Sequence, residues 1–408
     1  MPIIDNPEVI IIGGGAAGLF AAAIIAESTP ARRVQIIEKG PVPLAKVRLS
    51  GGGRCNLTHD CTDIKTFVQN YPRGSRELIG PFNRFGPSET MQWFESHGVP
   101  LVTLADGCVF PRSDTAASVI QALLTTAAKG YVQIQTGIAA TRITPSVDAF
   151  AVDLSDGSRL CTPKLLLANG GGAFIEGLQH TIEPCVPSLF TVNTPDREFT
   201  ALAGIVVEQT GLHTPGVDAS GALLITHTGI SGPATLELSS RGARLLAAID
   251  YQFPLTINWM PGKSPEDILA EIDDLCRNAP RKQIGSWFGL PNRLWKLLLQ
   301  RAGMPESKAW GQCARSERRK MVDQIHQFEL TICGKNKHRE EFVTCGGIRL
   351  TEIDFKTMQS RLHPGLYLAG EVLDIDALTG GYNLQAAWTT GCLAAHAMVT
   401  ISTANTLI

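Results

Sequence analysis

The sequence predicts an α/β protein whose buried parallel sheet is drawn from both ends of the chain, around a β-rich and then a helical interruption. Three observations predict it. First, Val9–Ile12, Leu165–Leu167 and Leu366–Leu368 are short apolar runs running into glycines, as in strands buried on both faces. Second, the texture changes twice between the last two of these runs. Residues 189–258 are short β-like pieces rich in Gly, Thr and Pro, which suggests an antiparallel sheet or barrel, and residues 264–326 read as capped helices. Third, the order β/α, β, α, β, β/α describes nested insertions rather than domains in series.

The N-terminal strand enters Gly13-Gly14-Gly15-Ala16-Ala17-Gly18, with glycines at G-x-G-x-x-G spacing. The first glycine permits a tight turn, the second lets a pyrophosphate approach the backbone, and the third lets a helix pack on the strand. Ala16–Glu27 supplies that helix, whose N-terminus offers N–H groups and a positive dipole end to phosphate. Val34–Ile37 is the next strand. It ends at Glu38, twenty residues after Gly18, where a carboxylate accepts hydrogen bonds from ribose hydroxyls. Strand, turn, helix, strand and acid in one unit point to a dinucleotide rather than to a turn that is merely tight. The acid favours an unphosphorylated ribose, as in FAD or NAD.

Residues 41–60 read as a glycine- and base-rich connection excluded from the core. A helix is expected over 114–128 with Ser113 or Asp114 as N-cap, then strands at 131–136 and 150–154 with a hairpin turn at Asp156-Gly157. Gly170-Gly171-Gly172 ends the second apolar strand. No amphipathic helix and no strand-terminal acid follow it, so it is read as a strand end beside the cofactor and not as a second nucleotide fold. Ser264 caps a helix with Pro265 at its first position and acids in the first turn, and further helices are separated by Gly289, Pro291 and Gly303. Residues 328–333 return to strand, and 383–400 form a closing helix.

Composition sets the bounds. The chain has 408 residues, enough for two or three domains, and 44% hydrophobic with 18% charged residues is ordinary for a globular protein. A net charge of −2 argues against a nucleic-acid surface as the main function. The basic runs 315–320 and 335–339 are read as solvated faces. Ten cysteines without a C-x-x-C pair read as reduced, packed thiols, with no metal site. With no basic leader before the first strand and no apolar run long enough to span a bilayer, the expected location is the cytoplasm. The expected partner is a small-molecule substrate, with no nucleic acid and no membrane.

Five segments together resemble the bacterial BaiN-like (YhiN-like) NAD(P)/FAD-dependent oxidoreductases, flavoproteins of the aminoacetone-oxidase type. They are the glycine turn, Ser50–Asn56 (SGGGRCN), Val109–Pro111 with Ser113, Thr226–Pro233 (THTGISGP) and Leu368–Gln385 (LAGEVLDIDALTGGYNLQ). The resemblance runs from end to end. One departure is Ala377, where the family usually has glycine, so the loop before Gly380 is expected to be slightly reshaped.

The resemblance implies a glutathione-reductase-like Rossmann FAD domain (1–188 and 345–408). Its insertion is a β-barrel (189–260 and 327–344), itself interrupted by helices (261–326). It implies FAD as cofactor, NAD(P)H as a transient reductant, and hydride transfer through flavin N5 to an unidentified small organic acceptor. Carried over to this sequence, the cofactor-binding residues are Gly13, Gly15, Ala16, Ala17, Gly18, Glu38, Lys39, Lys46, Ser50, Gly52, Gly53, Arg54, Cys55, Asn56, Ile138, Gly170, Gly370, Glu371, Gly380, Gly381, Asn383, Leu384 and Gln385. Arg54 is expected to pair with the pyrophosphate or the flavin edge, and the backbone of Gly52 and Gly53 to line the ring. Ile138 meets adenine through its backbone or is an ordinary strand residue. Gly380 and Gly381 are expected to let the N–H groups of the closing helix approach the pyrimidine end of the flavin. His227 is a weak catalytic candidate in a segment that is either a barrel turn or a wall over the flavin. Two alternatives stand beside this reading. One is a flavin disulfide reductase using Cys55 and Cys61; the other is a non-catalytic flavin-binding sensor.

Overall fold

The computed structural model describes residues 6–172, 174–285, 289–336 and 343–400. The chain forms two compact units, residues 1–185 with 343–408, and residues 186–342.

The first unit is built on a seven-stranded sheet. Its order is Ile353–Asp354, Gln359–Ser360, Leu366–Leu368, Lys164–Leu167, Val9–Ile12, Val34–Glu38 and Val132–Thr136. The last five run parallel, with Ile12 opposite both Leu167 and Ile37, so their C-terminal ends, including Glu38, finish along one edge. The helix Ala16–Ser28 is buried almost all round, because it packs against both Ala116–Ala127 and the closing helix Tyr382–Val399. Gly391 permits that last crossing: a Cβ there would lie 2.6 Å from the Ala17 carbonyl oxygen.

Two local expectations are corrected. The Ala116–Ala127 helix is capped by Thr115, whose hydroxyl accepts from the Ala117 N–H, and not by Ser113 or Asp114; Asp114 turns back at φ +54°. The 41–60 connection also contributes to the core. Ala45–Leu49 is a short helix, and Cys55 and Leu57 are fully buried where Thr58–His59 pairs antiparallel with Cys108–Val109. Its glycines give it the composition of a loop, but pairing with a neighbouring strand satisfies its backbone.

The second unit holds a closed barrel of six strands, Val192–Asn193, Gly229–Ser231, Val217–Ile225, Val206–Thr214, Gln252–Asn258 and Phe328–Lys335, the last returning to the first. The expected run of β-pieces also contains the helices Pro233–Arg241 and Ala243–Ala248. The first is launched by Gly232 at φ +95° and by Pro233 in its first turn. Between the last two barrel strands lie Pro265–Asn278, Asn292–Arg301 and Arg315–His326. Ser264 and Asp267 form a reciprocal cap on the first of these. Barrel strands and these helices share one apolar core that includes Trp259, Trp295 and Phe328. Among the described residues, no helix is long and apolar enough to cross a membrane.

Candidate functional site

The three glycines of the N-terminal turn are needed for three different reasons. Gly13 sits at φ +106°, and a Cβ there would lie 2.3 Å from the Ala168 carbonyl oxygen on the neighbouring strand. At Gly18 a Cβ would meet the Gly13 carbonyl oxygen at 2.0 Å, so the helix could not pack on the turn. At Gly15 a Cβ would meet nothing within 4 Å. The space beside Gly15 is therefore open, and no side chain caps the helix that starts there. The first-turn N–H groups and the positive dipole end at Ala16, Ala17 and Gly18 are directed at that space, as anion binding requires.

Glu38 is held beside this turn by two backbone donors. The Gly14 N–H donates to one carboxylate oxygen at 2.7 Å and the Gly40 N–H to the other at 2.6 Å. Each oxygen keeps a further lone pair for a hydroxyl. The Ile138 N–H donates to the Glu38 carbonyl oxygen at 3.2 Å, which brings Ile138 to the same strand end, whereas Lys39 points to solvent. On the other side, Gly370 abuts Ala17 and donates its N–H to the Thr390 hydroxyl at 3.0 Å. Gly170 lies next to the Glu371 carboxylate, which pairs with the exposed Lys46 ammonium at 2.7 Å. The fold thus gathers Gly13–Gly18, Glu38, Ile138, Gly170, Gly370, Glu371 and Lys46 from six segments.

The Ser50–Asn56 segment continues from there. Ser50 donates its hydroxyl hydrogen to the Val47 carbonyl at 2.8 Å and closes the preceding turn. Gly51, Gly52 and Gly53 are all left-handed, at φ +57°, +69° and +89°, and a Cβ at Gly52 would again meet nothing within 4 Å. Asn56, with its amide oriented to match its neighbours, donates to the Thr58 carbonyl at 3.0 Å and accepts from the Gly381 N–H at 3.3 Å.

Several of the expected residues also have partners within the protein. Arg54 lies over the Phe110 ring at 4.4 Å with Asp114 at 3.7 Å, so its half-exposed guanidinium already has protein partners. The Gln385 side chain is fully buried; it accepts from the Thr58 hydroxyl at 2.6 Å and donates to Thr90 and Thr389. It fastens the closing helix to its surroundings and faces no open space. The Asn383 amide grips the Ala377 backbone at both N–H and carbonyl, 3.0 Å each, and Leu384 packs on the core. Ala377 is buried and is not among the residues with positive φ, so an alanine in place of glycine does not strain this loop. Gly381 is required by its neighbour: at φ +90°, a Cβ would lie 2.5 Å from the Thr58 carbonyl. A Cβ at Gly380 would meet the Tyr382 ring at 2.7 Å. Both glycines are therefore required by chain packing, whatever else the turn does.

Cys55 is fully buried, and burial pushes its thiol up to about 12. Such a thiol stays protonated at neutral pH and is a poor redox nucleophile. Cys61 contacts the Asp63 carbonyl. In the second unit, Thr226 closes a tight barrel turn, its hydroxyl accepting from the Thr228 and Gly229 N–H groups. His227 is exposed at that turn. In the 315–320 run, Arg318 pairs with Asp273 and Glu317 with Lys308, while Arg315, Arg319 and Lys320 are exposed; residues 337–339 lie outside the described residues.

Sequence reasoning missed the buried Arg73–Asp376 pair and the Thr58–Thr90–Gln385–Thr389 cluster. In each, residues of the first hundred positions meet residues beyond 370, and no motif links them.

A parallel sheet ending in an uncapped helix start, a glycine without neighbours and a strand-terminal carboxylate define a Rossmann-type dinucleotide-binding protein. The family described as "HI0933-like protein Rossmann domain" matches residues 7–397, and the chain belongs to that family, one of FAD-binding oxidoreductases. It is similar to a 3-dehydro-bile acid delta(4,6)-reductase of Clostridium scindens, 29% identical over 95% of this chain and 98% of that protein. It is also similar to a ribosomal RNA dihydrouridine synthase of Escherichia coli, 29% identical over 96% of this chain and 98% of that protein. Among solved structures, an E. coli quinol fumarate reductase aligns with a TM-score of 0.48 at 13% identity, covering 97% of this chain and 70% of that one.

Proposed function

We propose that this chain is an FAD-dependent reductase of a carbon–carbon double bond conjugated to a carbonyl, with NAD(P)H as the electron donor. The observation that supports the cofactor is the open space at Gly15, bordered by an uncapped helix start and by Glu38. A dinucleotide's pyrophosphate and ribose fit that donor–acceptor pattern. The substrate class is suggested by the two relatives. The name of one describes reduction of ring double bonds next to a 3-oxo group, and that of the other describes saturation of the uracil double bond beside its carbonyl.

In this reading, Ala16 and Ala17 meet the pyrophosphate with their N–H groups, and Glu38 receives the ribose hydroxyls. Ile138 borders the adenine. Gly52 and Gly53 leave the ring edge uncovered by side chains. Glu371, held by Lys46, lies beside Gly170 and Gly370. Bound FAD supplies hydride chemistry at N5, which no side chain offers.

The test is to release the flavin from purified protein and identify it, then to follow anaerobic bleaching by NADH and NADPH. Reoxidation is then assayed with a 4,6-dien-3-oxo steroid and with uridine-containing RNA. FMN, or no flavin after reconstitution, refutes the cofactor. Reoxidation by neither acceptor refutes the substrate class.

A further inference from the structure

The loop from Asp374 to Thr379, which leads into Gly380 and Gly381, is gripped by a segment that no cofactor motif contains. The Leu378 N–H donates to the Asn70 carbonyl at 2.9 Å, and the Tyr71 hydroxyl donates to the Tyr382 carbonyl at 2.6 Å. Arg73 and Asp376 form an antiparallel backbone bridge, and their side chains also meet. The guanidinium donates through two nitrogens to the two oxygens of the Asp376 carboxylate, which is wholly buried. Gly74 lies so close to the loop that a Cβ there would stand 2.6 Å from Ile375. From the other side, Asn383 holds the backbone of Ala377.

A buried ion pair is weak evidence of added stability, since apolar side chains of similar volume often do as well. What a two-pronged guanidinium–carboxylate pair adds is direction: it fixes both the distance and the plane of its partner. Here that partner belongs to the loop feeding the Gly380–Gly381 turn. We propose that Arg73 is a positioning residue for the cofactor. Through Asp376 it sets the loop before Gly381, whose N–H donates to Asn56 at the end of the glycine segment that borders the flavin ring in the reading above. This inference rests on the FAD reading above.

The test compares wild type with Arg73→Lys and with the charge-neutral double variant Arg73→Gln/Asp376→Asn, which leaves no unpaired buried charge. Glu352→Gln serves as a control, because Glu352 pairs with buried His180 in a different cluster. Three quantities are measured: melting temperature of the apoprotein, FAD dissociation constant and midpoint potential of the bound flavin. The expected result is at least a tenfold loss of FAD affinity and a shifted potential in the double variant. Arg73→Lys, which keeps the charge but not the fork, should fall between it and wild type. Glu352→Gln should move only the melting temperature. Should the double variant not fold, Arg73→Lys decides alone through the same affinity and potential. Wild-type affinity and potential in the variants, at any melting temperature, overturn the positioning role and leave the FAD reading standing. Absence of FAD binding by wild type overturns both.

Discussion

Two glycine turns of the first unit each open a helix, and they use the missing side chain differently. At the start of Ala16–Ser28, Gly15 has an ordinary φ of −81° and faces empty space. At the start of Tyr382–Val399, Gly381 is left-handed and is pressed against the backbone of Thr58. Glycine is needed at Gly15 only if something from outside comes close. At Gly381 it is needed for the chain to fold. A motif in the sequence does not separate these cases; the atoms a Cβ would meet do.

The comparison breaks most visibly at Gly381. Gly381→Ala is expected to destabilise the apoprotein by about 2–5 kcal/mol, from positive-φ strain added to overpacking. Denaturant unfolding without FAD measures it, and an unchanged midpoint would show that Thr58 yields.

Glu38→Ala comes next. FAD affinity should fall by about 1.5–3 kcal/mol, the scale of a hydrogen bond to a charged group. The apoprotein should also lose stability, because the Gly14 and Gly40 N–H groups lose their acceptor. Titration calorimetry with FAD, paired with melting of the apoprotein, separates the two losses. Unchanged FAD affinity would place the ribose elsewhere.

Gly15→Ala sharpens the contrast. A methyl group in open space should leave apoprotein stability within about 0.5 kcal/mol and weaken FAD by about 1–3 kcal/mol through crowding of the pyrophosphate. Equal affinity would mean that the space beside Gly15 is not where the dinucleotide lies.

The smallest effect is expected at Cys61. Cys61→Ser should leave flavin turnover unchanged, since its would-be partner Cys55 is buried with a thiol raised to about 12. Iodoacetamide at pH 8 should label Cys61 in the native protein and spare Cys55. The sign can be checked at alkaline pH. The unfolded thiol ionises above about 8.5 while the folded one keeps its proton, so Cys55 removes stability as pH rises toward 12. Loss of turnover in Cys61→Ser would revive the disulfide-reductase reading.

Much of the first unit was legible in the sequence because its signals are local. Gly13 to Glu38 form one βαβ unit whose strand, turn, helix and acid lie within thirty residues of one another. The barrel was legible only as texture, and the helices 233–248 inside it were not foreseen. Gln385 and Asn383 were assigned to the cofactor because they share a motif with Gly380 and Gly381, yet both side chains are spent on the protein. Arg73 was invisible for the converse reason. Its partner Asp376 stands 303 positions away, and no periodicity links them.

The order of the first unit along the chain has a consequence for synthesis. Strand Lys164–Leu167 pairs with Leu366–Leu368, and the 198 residues from 168 to 365 are made in between. At roughly 5–20 residues per second, that interval lasts roughly 10–40 s. During it, the growing chain carries an apolar central strand with one unpaired edge, the kind of surface on which nascent chains stick to one another. The surroundings of Gly15 stay incomplete until Gly370 and the helix Tyr382–Val399 have emerged, so FAD is expected to bind only after they do. Shielding that open edge is then a task for whatever meets the nascent chain first.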